Sequence, residues 1–192
     1  MGCWGITAFE SDAGLDAADF VRTLLPESGK AELGTILAAM REDEWMCPKN
    51  PTDGESHTGP MALAEIMMAF LEGHVSELDY DEEWAAQDNK FAALTSFTAD
   101  STSVEWLRDY LSQMLTCALE NAAQRAKHGT QRWDQWNGWS AEQDWLGWQA
   151  HMKMLIGRLN TLGSQQAGPV ELVRPREPEV APIIEPELGG IE

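Results

Sequence analysis

Two stretches of the sequence concentrate residue types that can bind or react. The first holds Glu72, Glu77, Asp79, Asp81, Glu82 and Glu83. Six carboxylates in twelve residues repel one another, and a basic partner would relieve that repulsion and be steered in by their field. The plain alternative is a solvated loop. The second stretch is aromatic: Trp133, Trp136 and Trp139 recur every third residue, and Trp145 and Trp148 follow. That spacing, with Gly138 inside it, predicts a turn of tight helix stacking the rings on one side. Tryptophan is enriched at interface hot spots, but it also fills cores, and for five residues the core reading weighs more. Arg132 is placed to stack on one of the rings.

Catalytic patterns are thin. Gly29-Lys30 lacks the upstream glycine of a phosphate-binding loop, since position 24 is Leu24. No Gly-x-Ser-x-Gly elbow occurs. Cys47, His57 and His74 are too far apart in sequence for a zinc pattern, and neither Cys-x-x-Cys nor His-Glu-x-x-His is present. Ser56-His57 could offer a nucleophile and a base, but adjacent side chains rarely face each other, so an exposed polar loop is the expectation. Carboxylate pairs arise by chance among 32 acids. His128 and His151 are expected at the surface or at helix ends. No catalytic residue, cofactor or metal is assigned.

The formal net charge is −19. Phosphate binding needs clustered Lys and Arg, so nucleic acid is an unfavourable partner, as is an anionic membrane surface. A basic protein partner is favoured. The charge is uneven: residues 60–100 carry 9 acids against 1 base, whereas residues 101–163 carry 6 of each. Cys3, Cys47 and Cys117 lack framework spacing and suit a reducing compartment. The first twenty residues show no secretory signal, and no apolar run reaches the roughly 18 residues of a membrane span. The cytoplasm is the expected compartment.

The elements that would position these residues are helical. Trp4 and Phe9 are expected to anchor an ordered N-terminal cap, and Ser11 or Asp12 to open the first helix. Ala17, Phe20, Val21, Leu24 and Leu25 form its face, stopped by Pro26. Leu33, Ile36, Leu37 and Met40 mark a second helix. Pro60 opens a third, whose stripe is Leu63, Ile66, Met67, Phe70 and Leu71, ended by Gly73. A weaker fourth is expected over 81–95, with Trp84, Asp88, Phe91 and Thr95 on one side. Ser103 opens a long fifth helix that Gly129 closes, with Trp106 and Tyr110 as a second stripe. Ser140 and Gln143 form a capping box for a sixth, whose seam is Trp145, Trp148, Met152, Leu155, Leu159 and Leu162. That seam fits an antiparallel partner helix in the same chain, with a homodimer as the second option. No strand is predicted. The fold class is all-α, a bundle of about six helices. Residues 1–163 form a single helical domain, and 164–192 a Pro/Glu-rich, extended and disordered tail.

The N-terminus resembles a family of small bacterial proteins known as a domain of unknown function, number 4259. The resemblance is carried by Met1, Gly2, Trp4, Gly5, Phe9, Asp12, Asp16, Ala17, Asp19 and Phe20. Ala64, Glu65, Ile66 and Gly73 resemble that family's third helix, and Trp145, Leu155 and Leu159 its closing helix. The resemblance covers mainly residues 1–73. It implies no known enzymatic activity, and small acidic proteins of this kind resemble immunity proteins that neutralise toxin domains. With the charge and the missing catalytic motifs, this gives the expected function: a non-catalytic immunity protein that occludes the active cleft of a basic toxin, such as a nuclease. Its contact residues would be Glu72, Glu77, Asp79, Asp81, Glu82, Glu83, Trp133, Trp136 and Trp139. The rival readings are a hydrolase or metal-dependent enzyme with a site assembled across helices, and a regulatory adaptor acting through the tail.

Overall fold

The computed structural model describes residues 4–49, 57–79, 89–164 and 170–172. They are mostly helical. After a 3-10 turn at Ala8–Glu10 come α1 (Asp12–Leu24), β1 (Lys30–Glu32), α2 (Leu33–Arg41) and α3 (Gly59–Glu72). A second 3-10 turn, Val75–Leu78, precedes β2 (Ser96–Ala99) and α4 (Ser101–His128). A third, Arg132–Trp136, leads to α5 (Glu142–Ser164) and β3 (Val170–Leu172).

The amphipathic spacing accounts for most of these helices. The Ser11 hydroxyl caps α1 by accepting the Gly14 N–H at 3.0 Å, and itself donates to the Ala8 carbonyl at 2.7 Å. One side chain thus ties the N-terminal turn to the first helix. Ala17, Val21 and Leu25 are buried, while Phe20 and Leu24 are half-buried against the same core. All four predicted positions of α2 are buried. The α5 seam from Trp145 to Leu159 is also buried, and α5 packs along α4 of the same chain. That helix opens from Ala141, whose carbonyl accepts the Trp145 N–H, rather than from Ser140. Similarly α4 is capped by Asp100, whose carboxylate accepts the Ser103 N–H at 2.8 Å. Gly129 does end α4, though in an extended rather than a left-handed conformation.

α3 departs from the expected stripe. Every residue from Gly59 to Phe70 is buried. A helix that is apolar all round belongs at the centre of a fold, and α3 is covered by α1, α4, α5 and the N-terminal turn. Pro60 lies in its first turn, and Gly73 ends it at φ +82°, a conformation that other residues adopt only with strain. The single charge inside this buried run is Glu65.

Four expectations are corrected. The described residues hold five α-helices, not about six. The predicted fourth, over 81–95, falls largely on residues 81–88, outside the described residues. The chain from Asn89 onward is not helical there: Asn89 has φ +41°, residues 90–93 turn, and Ser96–Ala99 form a strand. Second, there is a sheet, of order β1-β2-β3. Ala31 lies opposite Phe97 in parallel pairing, and Thr98 opposite Glu171 in antiparallel pairing. Strands of three and four residues are too short to show an alternation in sequence. Third, β3 lies beyond residue 164, so this part of the expected tail pairs with the body; residues 165–169 and 173–192 lie outside the described residues. Fourth, Trp4 is 60% exposed. Ala8 is the buried residue of the N-terminal segment, with Ile6 and Phe9 half-buried beside it.

Candidate functional site

Glu65 projects from α3 toward the N-terminal turn and α5. Burying a carboxylate is costly unless its oxygens are hydrogen-bonded. Here one oxygen, Oε1, accepts the Ala8 N–H at 2.8 Å and lies 2.7 Å from His151 Nε2 on α5. The N-terminal turn that presents Ala8 is held by another acid. Glu10 Oε2 accepts the N–H groups of Ile6 and Thr7, each at 2.9 Å, and the Thr7 hydroxyl at 3.0 Å. The Thr7 N–H, with help from its hydroxyl and the Ile6 N–H, keeps the Glu10 carboxyl below the usual carboxylate range despite some burial. His57 lies beneath the same turn, its Nε2 3.2 Å from the Ile6 carbonyl. Burial pushes its pKa down, partly opposed by that carbonyl and by Glu10.

Glu65 and His151 open onto a groove of about 380 Å³ between the C-terminal half of α3 and α5. Phe9, and Glu77 and Leu78 of the second 3-10 turn, also line the groove. Met68, Met154 and Leu155 supply apolar wall, and Met154 is 39% exposed. The acids Glu72 and Glu77 are exposed on it. Glu72 is hydrogen-bonded to Arg158 of α5, with His74 Nε2 3.9 Å away. The site is therefore an apolar trough with carboxylates along it and an arginine, paired with Glu72 at the surface, across it.

The structure divides the residues that the sequence singled out. Glu72 and Glu77 share the groove. Asp79 does not: its side chain is 4% exposed. It accepts the Phe91 N–H at 3.2 Å and the Ala92 N–H at 2.7 Å, with Arg22 Nε 3.9 Å away. Arg22 in turn donates to the Leu78 carbonyl at 2.7 Å and to Asp19 at 2.6 Å. Asp79 therefore fastens the segment before β2 to α1. Asp81, Glu82 and Glu83 lie outside the described residues.

The tryptophans also separate. The tight helix is present as the 3-10 turn Arg132–Trp136, but its rings do not stack on one side. Trp133 is 49% exposed, whereas Trp136 and Trp139 turn inward and are buried. Trp139 lies 5.8 Å from the His57 ring and 6.4 Å from Trp148. Trp148 stacks on Trp145 at 5.4 Å. Four of the five rings thus belong to the core.

Sequence reasoning missed Glu65, His151, Met154 and Arg158. The pairing of His151 with Glu65 corrects the expectation of a plain surface or helix-end histidine. A signal for Glu65 was present: it is the one charge in the apolar run 59–71. Nothing in the sequence pointed to its partner, 86 residues away. Among the described residues no group of three or more His, Cys, Asp and Glu is arranged to hold a metal ion, and no helix is long and apolar enough to cross a membrane. No protein-family model, curated protein or solved structure matches the chain.

Proposed function

We propose that the protein is a non-catalytic protein-binding module that neutralises a basic partner, in the manner of an immunity protein against a toxin domain. One observation carries the reading: Glu72 and Glu77 share a groove with Met68, Met154 and Leu78. Apolar floor beside charge is the build of a recognition surface, and methionines adapt to the shape of what they cover. A basic amphipathic segment would lay its apolar side on the methionines. Its arginine or lysine would take the place of Arg158 at Glu72, exchanging one surface ion pair for another at little cost. The partner's cationic residues would then be withheld from its own anionic substrate. Co-expression with a basic protein encoded beside this chain tests the reading. A stable complex that Glu77→Lys disrupts supports it; a complex indifferent to Glu77→Lys, or no complex, removes it.

The Glu65–His151 pair favours a second reading, a hydrolase. A carboxylate that orients an imidazole is half of a general-base arrangement, and water would be its nucleophile, because the Thr7 hydroxyl in the groove is donated to Glu10. Turnover of ester or phosphoester substrates that disappears in His151→Gln would establish it.

A further inference from the structure

A second recess, of about 390 Å³, lies on α2 and α4 away from the groove, and its chemistry is opposite. Its wall is aromatic and cationic. Trp106 and Tyr110 are stacked at 5.2 Å, and the Arg41 guanidinium sits over the Trp106 ring at 5.2 Å. The Tyr110 hydroxyl donates to the Pro48 carbonyl at 3.0 Å, which fixes the loop carrying Lys49 against the ring pair. A guanidinium held over an indole by cation–π attraction can still offer N–H groups to a carboxylate. Among the described residues no carboxylate is within ion-pair distance of Arg41. The one acid of the wall, Asp109, is held by Arg108 at 2.7 Å. Lys49 is paired with Glu44, but both are exposed, so the pair is readily exchanged.

Stacked aromatic rings beside a cation form the surface that receives proline-containing acidic segments. The rings pack on pyrrolidine faces of a chain whose prolines have already restricted it, so that docking costs little further entropy, and the cation takes the neighbouring carboxylate. This chain contains such a segment. Residues 177–192 carry five glutamates, three prolines and no lysine or arginine, with Glu177-Pro178 and Glu185-Pro186 as adjacent pairs. They lie outside the described residues and come after β3, which ends at Leu172. Thirteen extended residues reach about 40 Å, against a radius of gyration of roughly 16 Å for a compact chain of this length. Reach is therefore no obstacle, and tethering raises the local concentration of the segment to the millimolar range.

We propose that the recess of Arg41, Trp106 and Tyr110 is the docking site for this chain's own glutamate–proline segment, residues 177–187. The test uses the full-length protein and a glutamate-specific protease. Because proline follows Glu177 and Glu185, the cleavable bonds of this segment are those after Glu179 and Glu187, and their cleavage is followed by mass spectrometry, with the melting temperature recorded alongside. Docking shields these bonds, so Arg41→Gln and Trp106→Ala should each raise the cleavage rate about fivefold or more. The solvent-exposed Arg41→Gln should do so while lowering the melting temperature by no more than the few degrees that loss of the docked segment accounts for. Raising the salt concentration should bring the parent's rate toward that of Arg41→Gln. Equal rates in parent and Arg41→Gln overturn the proposal. So does protection that grows with protein concentration, because the occupant would then be a second copy.

Discussion

The acidic stretch beginning at Glu72 and the tryptophan stretch ending at Trp148 look equally suited to binding as sequence. Folding treats them differently. Of the tryptophans, Trp136, Trp139, Trp145 and Trp148 are buried and Trp133 alone stays out. Of the described acids in the other stretch, Glu72 and Glu77 stay out and Asp79 alone goes in. The reason is the cost of desolvation. An indole loses little by entering the core, and its area makes entry favourable. A carboxylate enters only where donors await it, and Asp79 finds the Phe91 and Ala92 N–H groups. A run of one residue type is thus a poor guide to which members face a partner. The exception in each run is the informative residue.

The largest effect should come from the tryptophans. Trp148 is fully buried, stacked on Trp145 and close to Trp139. Trp148→Ala should cost about 3–5 kcal/mol, enough to threaten folding. Trp133→Ala should change stability by no more than about 0.5 kcal/mol. Urea unfolding of both variants measures the contrast, and equal costs would erase it.

The acidic stretch should show the same contrast on a smaller scale. Asp79→Ala leaves two backbone N–H groups without their acceptor and the buried Arg22 with Asp19 as its remaining acid, a loss of about 1–3 kcal/mol. Glu77→Ala, at an exposed position, should be close to neutral in the same urea titration. If Asp79→Ala were neutral as well, the acids of this stretch would not differ in role.

His57 adds a pH dependence on the tryptophan side, where its ring lies against Trp139. Burial lowers its pKa in the folded protein, so the unfolded chain takes up a proton more readily. Its contribution to stability is therefore complete above the unfolded value of about 6.5, and falls as the pH drops below it. Between pH 7 and 5 the parent's melting temperature should fall more steeply than that of His57→Gln. Glu10, whose pKa is lowered, acts in a separate window, because its contribution is lost only as the pH falls below about 4.5. Parallel melting curves for parent and His57→Gln between pH 7 and 5 would mean that His57 does not couple stability to pH.

Much of the helical scaffold is legible in the spacing of apolar residues. The faces of α2 and α5 and the ends of α3 can be read from periodicity, Pro60 and Gly73, because helices record their burial every three to four residues. The sheet is not legible: β1 and β3 are three residues each, and β2 is joined to them by pairings 66 and 71 to 75 residues apart. The groove is legible in part. Glu72 and Glu77 stood out by density of charge, whereas Glu65, alone in an apolar run, carried a signal that the sequence reading passed over. His151 and Arg158 reach it only because α5 packs beside α3, and that is a tertiary fact. Trp4 misled because an aromatic near the N-terminus carries no periodicity to say which side of it is covered.

The smallest expected change, and the one closest to function, concerns the two acids left on the surface. Replacing the whole acidic run would confuse two effects, since Asp79 holds the fold together. Glu72→Gln with Glu77→Gln separates them. Neither carboxylate is buried, and Glu72 loses only a surface pair with Arg158, so stability should change by less than about 1 kcal/mol. Association with a basic partner should slow severalfold at low salt, because two charges are removed from the field that steers the encounter. The difference should shrink as ionic strength rises and the Debye length falls toward about 8 Å. Stopped-flow association rates across a salt series measure it. A constant ratio of rates at every ionic strength would mean that the acids act by contact alone. A ratio of one throughout would mean that the partner does not meet this groove, and would return the search to exposed Trp133.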